Sequence, residues 1–587
     1  MIKKFNTFLD AKHKIYTLII IFLWFIFSLL EIIGISSVPI LISLLLDDTR
    51  FFEIFFLNDL KLKIIDYPKE KVLLFFSIFL IFFFLLKNLF TAFLINLELN
   101  IYRKINVNIK KRIFSYYLNI PYSEYLKLNS PTIIRIVSED TSLAIGFLIS
   151  YLTIVSQIIL LSLSLILLLY WNFNVTILIL LVFSILFFSI YLYSSKKIYK
   201  IGKIKQEYTK DILKIITNSI DNIKEVIIYS KENFLTSLFE NKQYKTQEQI
   251  LKISLYKKIP KLFYEFLGLS LIVVVILFYL FIENSIDEVI IFISLLAITI
   301  LRILPAMNLL TQNFSTLKSS EYSFNLIIDI FKKTKNDTLE KNFLKSDYID
   351  KKIEFKKDIE FKNIYFSYPQ TNERSIKNFN LKIGKNSTVG VVGKSGSGKS
   401  TFINLLAGLL KPSNGEISID GKSIIGREHF IQKKIGYIPQ DNYLVDDTIL
   451  KNIIFSNKME DVDNKKIEKV LAQSQLKDFI KSLKDGIQTN VGEKGIRISG
   501  GQRQRIGIAR ALYNEPEILI FDESFNSLDT LTEAKLVEEI YKIKDKTIII
   551  ISHKLETLYN CDKVILIENG QIKDSGTPKE IQMKFVN

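Results

Sequence analysis

The first half of the chain contains long apolar stretches that are almost free of charged residues. Six of them are at least about 20 residues long, which is enough for a helix to cross a hydrocarbon core roughly 30 Å thick. They cover residues 15–46, 72–97, 143–170, 175–194, 262–282 and 289–310. A single stretch of this kind could be a buried helix of a soluble protein, but six before one polar region are typical of a membrane domain. We therefore predict six transmembrane helices.

Two long polar segments, 98–139 and 196–258, separate apolar stretches and keep helical apolar spacing. We interpret them as membrane helices that project into the cytoplasm, each pair joined by a short crossing helix near 122–128 and 230–235. Residues 332–357 are charged and weakly apolar, which favours a linker. Strand-like and helix-like runs alternate after residue 359. The predicted domains are a membrane domain at 1–331, the linker at 332–357 and an α/β domain at 358–587.

The composition fixes an orientation in the membrane. The hydrophobic fraction is 49%, the mean hydropathy +0.25 and the formal net charge +17. Lys and Arg are absent from 171–174 and 283–288 but crowd 103–112 and 196–205, so the positive-inside rule places the latter pair and both chain ends in the cytoplasm. This explains much of the basic charge without a nucleic-acid partner. The first apolar stretch is too long for a cleavable signal peptide. The single Cys561 excludes an internal disulfide.

A phosphate-binding loop lies between a strand-like run, 388–392, and a helix-like run, 401–410. The loop and the first helical residue are Gly393, Lys394, Ser395, Gly396, Ser397, Gly398, Lys399, Ser400 and Thr401. Glycines let several backbone N–H groups point at one phosphate chain, while the lysine reaches the β- and γ-phosphates and Ser400 ligates Mg²⁺. The strand–loop–helix setting makes a chance match improbable. The pattern predicts that the chain binds a nucleoside triphosphate with Mg²⁺.

Two further motifs follow in order. Asp522 and Glu523 end an apolar strand, where Asp522 would hold Mg²⁺ and Glu523 would orient or deprotonate the attacking water. A pair of adjacent acids is more often solvated surface, but its position after a phosphate loop favours the catalytic interpretation. Between the phosphate loop and this acid pair lies Ile498-Ser499-Gly500-Gly501-Gln502. Its serine and its backbone N–H groups begin a helix, and the start of a helix is a favourable place for a γ-phosphate.

These motifs resemble the ATP-binding cassette (ABC) family, with Ile498 where the family signature usually has Leu. The resemblance implies an ATPase with ATP and Mg²⁺ as cofactors, and roles for several more residues. It makes Gln440 the Q-loop glutamine near Mg²⁺, His553 the switch histidine on the γ-phosphate, and Asp529 part of the D-loop. Tyr368 would stack on adenine, or alternatively be a core tyrosine. Glu493 matches the X-loop of exporters, whereas Ser524-Phe525-Asn526 departs from the usual D-loop sequence.

In this family the signature of one cassette faces the phosphate loop of another. One cassette is encoded here, so the resemblance implies a second subunit, either identical or homologous. Six helices before one cassette resemble ABC exporters. The predicted fold class is thus a membrane α-helical domain of ABC exporter type plus a cytoplasmic α/β P-loop cassette, in a bacterial inner membrane.

The membrane half resembles the bacterial lipid-linked oligosaccharide flippases of protein glycosylation (PglK type), through 27–31, 259–265 and 301–308. This implies a polyprenyl-pyrophosphate-linked glycan as substrate. Three cations, Lys87, Lys261 and Arg302, could line one cavity for a pyrophosphate. The alternative is local pairing, with Glu265 for Lys261 and Glu31 for Lys87 or Arg302.

Other interpretations fit the same residues. The external segment 47–71 contains an apolar run, 51–57, that is predicted to lie in the membrane interface as a helix. The resemblance implies that this helix engages a polyprenyl tail, and the alternative is a simple cover over the spans. The runner-up substrates are lipid A, phospholipids or drugs. A membrane-tethered ATPase acting on nucleic acid or a protein partner would explain the charge but not the six spans. Because no protease domain precedes the first span, we do not expect an exporter that processes leader peptides.

Overall fold

The computed structural model describes residues 2–45, 68–171, 173–281, 286–336, 354–369, 373–456, 462–526 and 529–585. The chain divides into two compact units, one formed by residues 1–120 and 128–344 and the other by 121–127 and 345–587. The predicted interfacial run, 51–57, lies outside the described residues, as does most of the predicted linker.

The first unit is built from helices long and apolar enough to cross a membrane. There are 6 such helices in the described residues, which confirms the prediction of six spans. The helices of this unit are α1 (Ile2–Phe8), α2 (Ala11–Leu45), α3 (Lys69–Asn119), α5 (Ser130–Arg135), α6 (Thr141–Trp171), α7 (Phe173–Asp221), α8 (Ile223–Ile228), α9 (Glu232–Phe281) and α10 (Ile286–Asn336). Helices α3, α7 and α9 run on well past their apolar stretches, as the polar periodic segments predicted.

The short helices test the two predicted crossing segments. Helix α4, Tyr122–Tyr125, lies where the first was expected and belongs to the second unit, where Tyr122 packs against the apolar core. The second prediction, 230–235, was wrong by several residues. The short helix there is Ile223–Ile228, and Ser230 has a left-handed φ of 52° just before α9 begins. The left-handed residue ends one helix and lets the next start in a new direction.

A buried ion pair fixes the start of α6. Residues Ile136–Asp140 form a single π-helical turn between α5 and α6. The Asp140 carboxylate lies 3.2 Å from the Arg135 guanidinium and accepts a 2.7 Å hydrogen bond from Ser323 of α10. Arg135 also donates to the Gln206 carbonyl of α7 at 2.9 Å. Three helices are therefore held together by one buried polar network, which is costly to break because each charge would lose its partner.

The second unit contains a four-stranded antiparallel sheet and a six-stranded, mainly parallel sheet, in the orders β2-β1-β4-β5 and β10-β9-β3-β8-β7-β6. The strands are β1 (Asp358–Phe366), β2 (Ile376–Gly384), β3 (Thr388–Val392), β4 (Asn414–Ile419), β5 (Lys422–Ser423), β6 (Ile435–Ile438), β7 (Ile518–Asp522), β8 (Thr547–Ile551), β9 (Lys563–Glu568) and β10 (Gln571–Gly576). The helices are α4 and α11 (Lys399–Leu406), α12 (Glu428–Gln432), α13 (Ile449–Ile454), α14 (Asn464–Gln473), α15 (Lys477–Ser482), α16 (Gly500–Tyr513), α17 (Thr530–Tyr541) and α18 (Pro578–Phe585).

The central strands of the larger sheet are apolar because both of their faces are covered. All five residues of β8 are buried, and β7 is buried up to its last residue. β3 pairs in parallel with β8 and β9, and β7 with β6 and β8. Parallel strands of this kind end at one edge, and binding residues in α/β proteins collect at the carboxyl ends.

A glycine sets the distance between α7 and α10. A Cβ added at Gly202 would lie 2.2 Å from the Ser319 carbonyl oxygen, a backbone atom that cannot move aside. We therefore expect Gly202→Ala to push the helices apart and to lower the stability of the full chain by about 1–3 kcal/mol. The measurement is the thermal unfolding midpoint of the purified protein.

Gly146 in α6 is the matched control, because a Cβ there meets nothing within 4 Å. Since alanine is the better helix former by up to about 1 kcal/mol, Gly146→Ala should leave the midpoint unchanged or raise it. Equal effects at the two glycines would contradict the close approach.

Candidate functional site

The phosphate loop connects β3 to α11, as predicted. Gly396 and Gly398 have φ values of +79° and +110°, which only glycine adopts at low cost. A Cβ on Gly393 would lie 2.4 Å from the Ile567 carbonyl oxygen of β9, so the loop also needs glycine to pass beside that strand. The Ser397 hydroxyl is buried and has no hydrogen-bond partner among the residues described. Such a loop, with a buried polar atom to satisfy, fits a phosphate chain.

Lys399 begins α11 and turns back into the loop. Its ammonium donates to the carbonyls of Gly393 at 2.8 Å and Lys394 at 3.1 Å. Its Nζ also lies 3.9 Å from Glu523 Oε1. Burial lowers the pKa of the Lys399 ammonium, against the pull of the nearby carboxylates of Glu523 and Asp522. Lys399 thus places a buried positive charge inside the loop, with Ser400 and Thr401 following on the helix.

Glu523 lies directly after β7 and holds two basic side chains. Its Oε1 is 2.7 Å from His553 Nε2 as well as 3.9 Å from Lys399. Its backbone has a left-handed φ of 50°, and its N–H donates to the Ile551 carbonyl of β8. A non-glycine residue in this region is strained, and such strain persists where surrounding structure imposes it. Lys399 and His553, both predicted from the sequence, therefore lie near the same carboxylate oxygen of Glu523.

Asp522, the last residue of β7, is held by a tyrosine that the sequence analysis did not identify. The Tyr437 hydroxyl donates to Asp522 Oδ2 at 3.0 Å. Burial raises the pKa of the Asp522 carboxyl, and the neighbouring Glu523 charge acts the same way, while Tyr437 and Lys399 oppose both. Burial and the Asp522 charge also raise the pKa of Tyr437. A carboxylate oriented by a phenol beside a phosphate loop is suited to a Mg²⁺ ion.

The Q-loop is tied to the signature helix. Gln440 itself is exposed, two residues after β6. Asn442 donates to Gln504 at 2.9 Å, and Gln504 donates to the Pro439 carbonyl at 3.2 Å. Gly507 leaves room for this arrangement, since a Cβ there would lie 2.2 Å from the Asn442 side chain. The loop that carries Gln440 is therefore hydrogen-bonded to α16 on both sides of that glutamine.

The signature residues form an exposed helix start. The Ser499 hydroxyl accepts from the Gln502 N–H at 3.2 Å, and the Gln502 side chain accepts from the Ser499 N–H at 2.8 Å. This capping box orders the first turn, to which Gly500 and Gly501 belong, and uses one of its free N–H groups. The predicted signature residues therefore lie at the surface of the second unit.

Asp529 and Glu493 lie at other element ends. The Asp529 side chain accepts from the Thr532 N–H at 2.9 Å and begins α17, and that hydrogen bond lowers the pKa of its carboxyl. Glu493 is exposed at the start of a short 3₁₀ turn. In the unusual stretch before Asp529, the buried Phe525 stacks on Phe521 with ring centroids 5.3 Å apart. That departure from the family pattern serves packing of β7.

Tyr368 combines features of both interpretations made from the sequence. Its ring packs against the apolar cluster around β1 and β2 and lies edge-on to Phe366. Its hydroxyl lies 3.3 Å from the Thr401 hydroxyl at the start of α11. The tyrosine is therefore next to the phosphate loop while also contributing to the core.

The three membrane cations are each within ion-pair distance of a carboxylate. Glu31 in α2 is buried and binds both Lys87 in α3, at 2.7 Å, and Arg302 in α10, at 2.8 Å. Lys261 lies 3.4 Å from Glu265 on its own helix. The local pairing weighed in the sequence analysis is therefore present, and Lys261 lies outside the cluster formed by Glu31, Lys87 and Arg302. That cluster retains one excess positive charge.

Comparison with known proteins follows the same division of the chain. Residues 376–526 match the ABC transporter family, and residues 18–303 match the ABC transporter transmembrane region. The ATP-dependent lipid A-core flippase of Wigglesworthia glossinidia brevipalpis is 29% identical over 487 residues, which are 81% of each chain. The alpha-hemolysin translocation ATP-binding protein HlyB of Escherichia coli is 41% identical over 229 residues.

The match to HlyB covers 38% of this chain and 32% of the relative, so the chain spans about a third of that protein's length. A solved structure of a bacterial Atm1-family ABC exporter with ATP bound superposes with a TM-score of 0.77 and 18% identity. It covers 98% of this chain and 97% of the other. At that identity the likeness shows the fold, a six-helix exporter domain with its cassette.

We expect Glu523→Gln to keep ATP binding but to lower phosphate release by about 100-fold or more, because the amide cannot take a proton from water. Lys399→Ala should instead weaken binding itself, since the loop loses its ammonium. Glu515→Gln is the matched control, as Glu515 pairs with Lys466 on the surface. Hydrolysis at the wild-type rate in Glu523→Gln would refute the assigned role.

Tyr437→Phe removes the hydroxyl that orients Asp522 while keeping the ring. Hydrogen bonds to charged groups are worth about 1.5–3 kcal/mol, so the Mg²⁺ concentration for half-maximal hydrolysis should rise about tenfold or more. A Mg²⁺ titration at saturating ATP measures this. Tyr559→Phe, at a tyrosine that is 56% exposed, is the control. Identical Mg²⁺ dependence in the two variants would show that the hydroxyl has no positioning role.

Proposed function

This chain belongs to the ABC transporter family, and we propose that it couples ATP hydrolysis to the outward movement of an amphiphilic, phosphate-bearing lipid. The substrate we favour is a polyprenyl-pyrophosphate-linked oligosaccharide. The membrane would be the inner membrane of a bacterium, with the cassette in the cytoplasm. The working unit would be a dimer, because the half-transporter architecture supplies one phosphate loop and one signature, and a homodimer is the simplest form.

The proposed chemistry uses the groups at the carboxyl edge of the larger sheet. ATP would lie along the loop Gly393–Thr401, with its adenine ring beside Tyr368. Lys399 would neutralise the terminal phosphates of the nucleotide. Mg²⁺, held by Ser400 and Asp522 with Gln440 near by, would supply charge neutralisation on the phosphates. Glu523 would orient water and receive its proton, while His553 contacts the γ-phosphate. The second subunit would provide Ser499, Gly500, Gly501 and Gln502, and Asp529 would lie at the contact.

The observation that carries the substrate class is the cluster of Glu31, Lys87 and Arg302. Two cations share one carboxylate inside the apolar spans, and the Arg302 side chain is 47% exposed while Glu31 and Lys87 are buried. An unneutralised positive charge at membrane depth is expensive unless it faces a cavity or an anionic partner. Arginine binds phosphate oxygens through two parallel hydrogen bonds. A diphosphate head group would supply the missing negative charge.

Lipid A-core is the second candidate, since the relative that matches 81% of the chain is named as its flippase. It shares the amphiphilic, phosphate-bearing character of the first candidate. Transport assays distinguish the candidate substrates. They use purified protein in proteoliposomes with labelled forms of each lipid and a hydrophobic drug. Transport of the glycan lipid supports the first candidate and transport of lipid A-core supports the second. A response to drugs alone refutes the proposed substrate class.

Two single variants test the role of the cluster. Arg302→Gln should lower ATP-dependent lipid transport about tenfold or more, because the exposed phosphate-binding cation is lost while Glu31 keeps Lys87. Lys261→Gln is the comparison, since Lys261 is 54% exposed and paired with Glu265 on its own helix. We expect a smaller loss there. Transport rates in vesicles, corrected for incorporated protein, decide the point, and an equal loss in both variants would contradict a special role for Arg302.

A further inference from the structure

A groove between α7 and α9 is separate from every site described so far. It encloses about 500 Å³, within the range of ligand pockets in proteins. Its apolar wall includes Leu186 and Ile190 from α7, with Ile259 and Phe263 from α9. Ile259 and Phe263 are 44% and 55% exposed, which is high for residues of an apolar wall. The groove is therefore open and apolar along part of its length.

The other end of the groove is polar and aromatic. Tyr193 and Ser194 from α7 line it, together with Lys252 and Tyr256 from α9. Lys197, one turn beyond Tyr193, has its ammonium 3.7 Å from the centre of that ring. Lys252 pairs with Glu248 at 2.6 Å, but both side chains are about half exposed, and such pairs are worth little in water.

The spacing on the two helices gives the groove a direction. Leu186, Ile190, Tyr193 and Lys197 recur at helical spacing, so they lie on one face of α7. Lys252, Tyr256, Ile259 and Phe263 do the same on α9. Consecutive spans cross the membrane in opposite directions, so the basic and aromatic ends coincide and the apolar ends coincide. This polar end is where the charge-free run 175–194 gives way to the basic run 196–205, which is the cytoplasmic boundary of the membrane.

Pro260 adds a hydrogen-bond acceptor to the polar end. It lies inside α9 and has no N–H, so the carbonyl of Tyr256 receives no helical hydrogen bond from position 260. A ligand hydroxyl could use this carbonyl. From membrane to cytoplasm the groove thus offers an apolar channel, a backbone acceptor at Tyr256 and the ammonium groups of Lys252 and Lys197.

We propose that this groove binds an anionic phospholipid of the inner leaflet, with an acyl chain along the apolar wall and the phosphate at Lys197 and Lys252. Basic pockets between membrane helices on the cytoplasmic side suit such head groups. The residues 191–205 contain lysines but no acidic residue, which favours an anionic occupant. A second copy presenting the same face would bring lysines of both chains together, and like charges oppose that contact. The site is independent of the transported substrate and would hold the lipid as a resident ligand.

The test uses the full-length protein, titrated with dioleoyl phosphatidylglycerol or dioleoyl phosphatidylcholine and observed by native mass spectrometry. The two lipids share their acyl chains and differ in head-group charge. We expect the wild type to retain the anionic lipid about tenfold more tightly. The double variant K197Q/K252Q should lose that preference while keeping weak binding of both lipids. Ile259→Trp, which fills the apolar wall, should weaken the anionic lipid as well.

The matched control is K196Q/K258Q, which removes the same charge from two nearby lysines, whereas Lys252 lines the groove and Lys197 lies over the ring of the lining Tyr193. It should keep the preference. Equal retention of the two lipids by the wild type would overturn the proposal. An equal loss in both double variants would also overturn it, since general surface charge would then explain binding.

The alternative occupant of the groove is a second copy of the chain. Leu255 lines the groove and is 47% exposed, and the native Cys561 is buried, so Leu255→Cys introduces one accessible thiol. If the lipid fills the groove, the anionic lipid should slow alkylation of this thiol severalfold and the neutral lipid should not. Protection that is complete without lipid, or an interchain disulfide at this position, would assign the groove to the subunit interface and overturn the proposal.

Discussion

The carboxyl edge of the parallel sheet decides where the charges of the cassette meet. β3, β7 and β8 are neighbours, with Phe521 level with Ile550 and Val391 level with Ile551. Each strand therefore delivers its next residues to the same place, although the phosphate loop and His553 are far apart in sequence. The buried strands are apolar, so the first polar side chains after them are concentrated at that edge. Lys399, Glu523 and His553 lie together because β8 pairs in parallel with both β3 and β7, so that the residues after all three strands reach the same edge.

Much of this arrangement could be predicted from residue patterns. The six spans follow from length and apolarity, and the phosphate loop follows from glycines placed between a strand and a helix. Glu523 and His553 were predicted as functional residues, but their shared contact depends on pairing between β7 and β8. Tyr437 was missed because it reads as an exposed residue of a short strand. Only the parallel pairing of β6 with β7 brings its hydroxyl to Asp522.

In the membrane half, the contacts between helices could not be predicted from the sequence. Hydropathy locates Lys87, Lys261 and Arg302 within or beside spans but carries no information on which helices are neighbours. The structure joins α2, α3 and α10 through Glu31 and leaves Lys261 with its own-helix partner. The second crossing helix was misplaced for a related reason, since the left-handed φ of Ser230 is a property of one backbone angle that no periodicity reveals.

Two sites far apart in the sequence share one electrostatic arrangement. Glu31 binds Lys87 and Arg302, and Glu523 binds His553 and lies near Lys399. Removing one partner from a simple buried ion pair leaves a bare charge, which costs several kcal/mol. A carboxylate with two basic neighbours avoids that cost, because one neighbour can turn to an arriving anion while the other stays. Arg302 is the exposed partner of the first carboxylate, at 47%, and Lys399 is the more distant partner of the second, at 3.9 Å. We expect an anion that binds at either site to displace one basic neighbour while the other still neutralises the carboxylate.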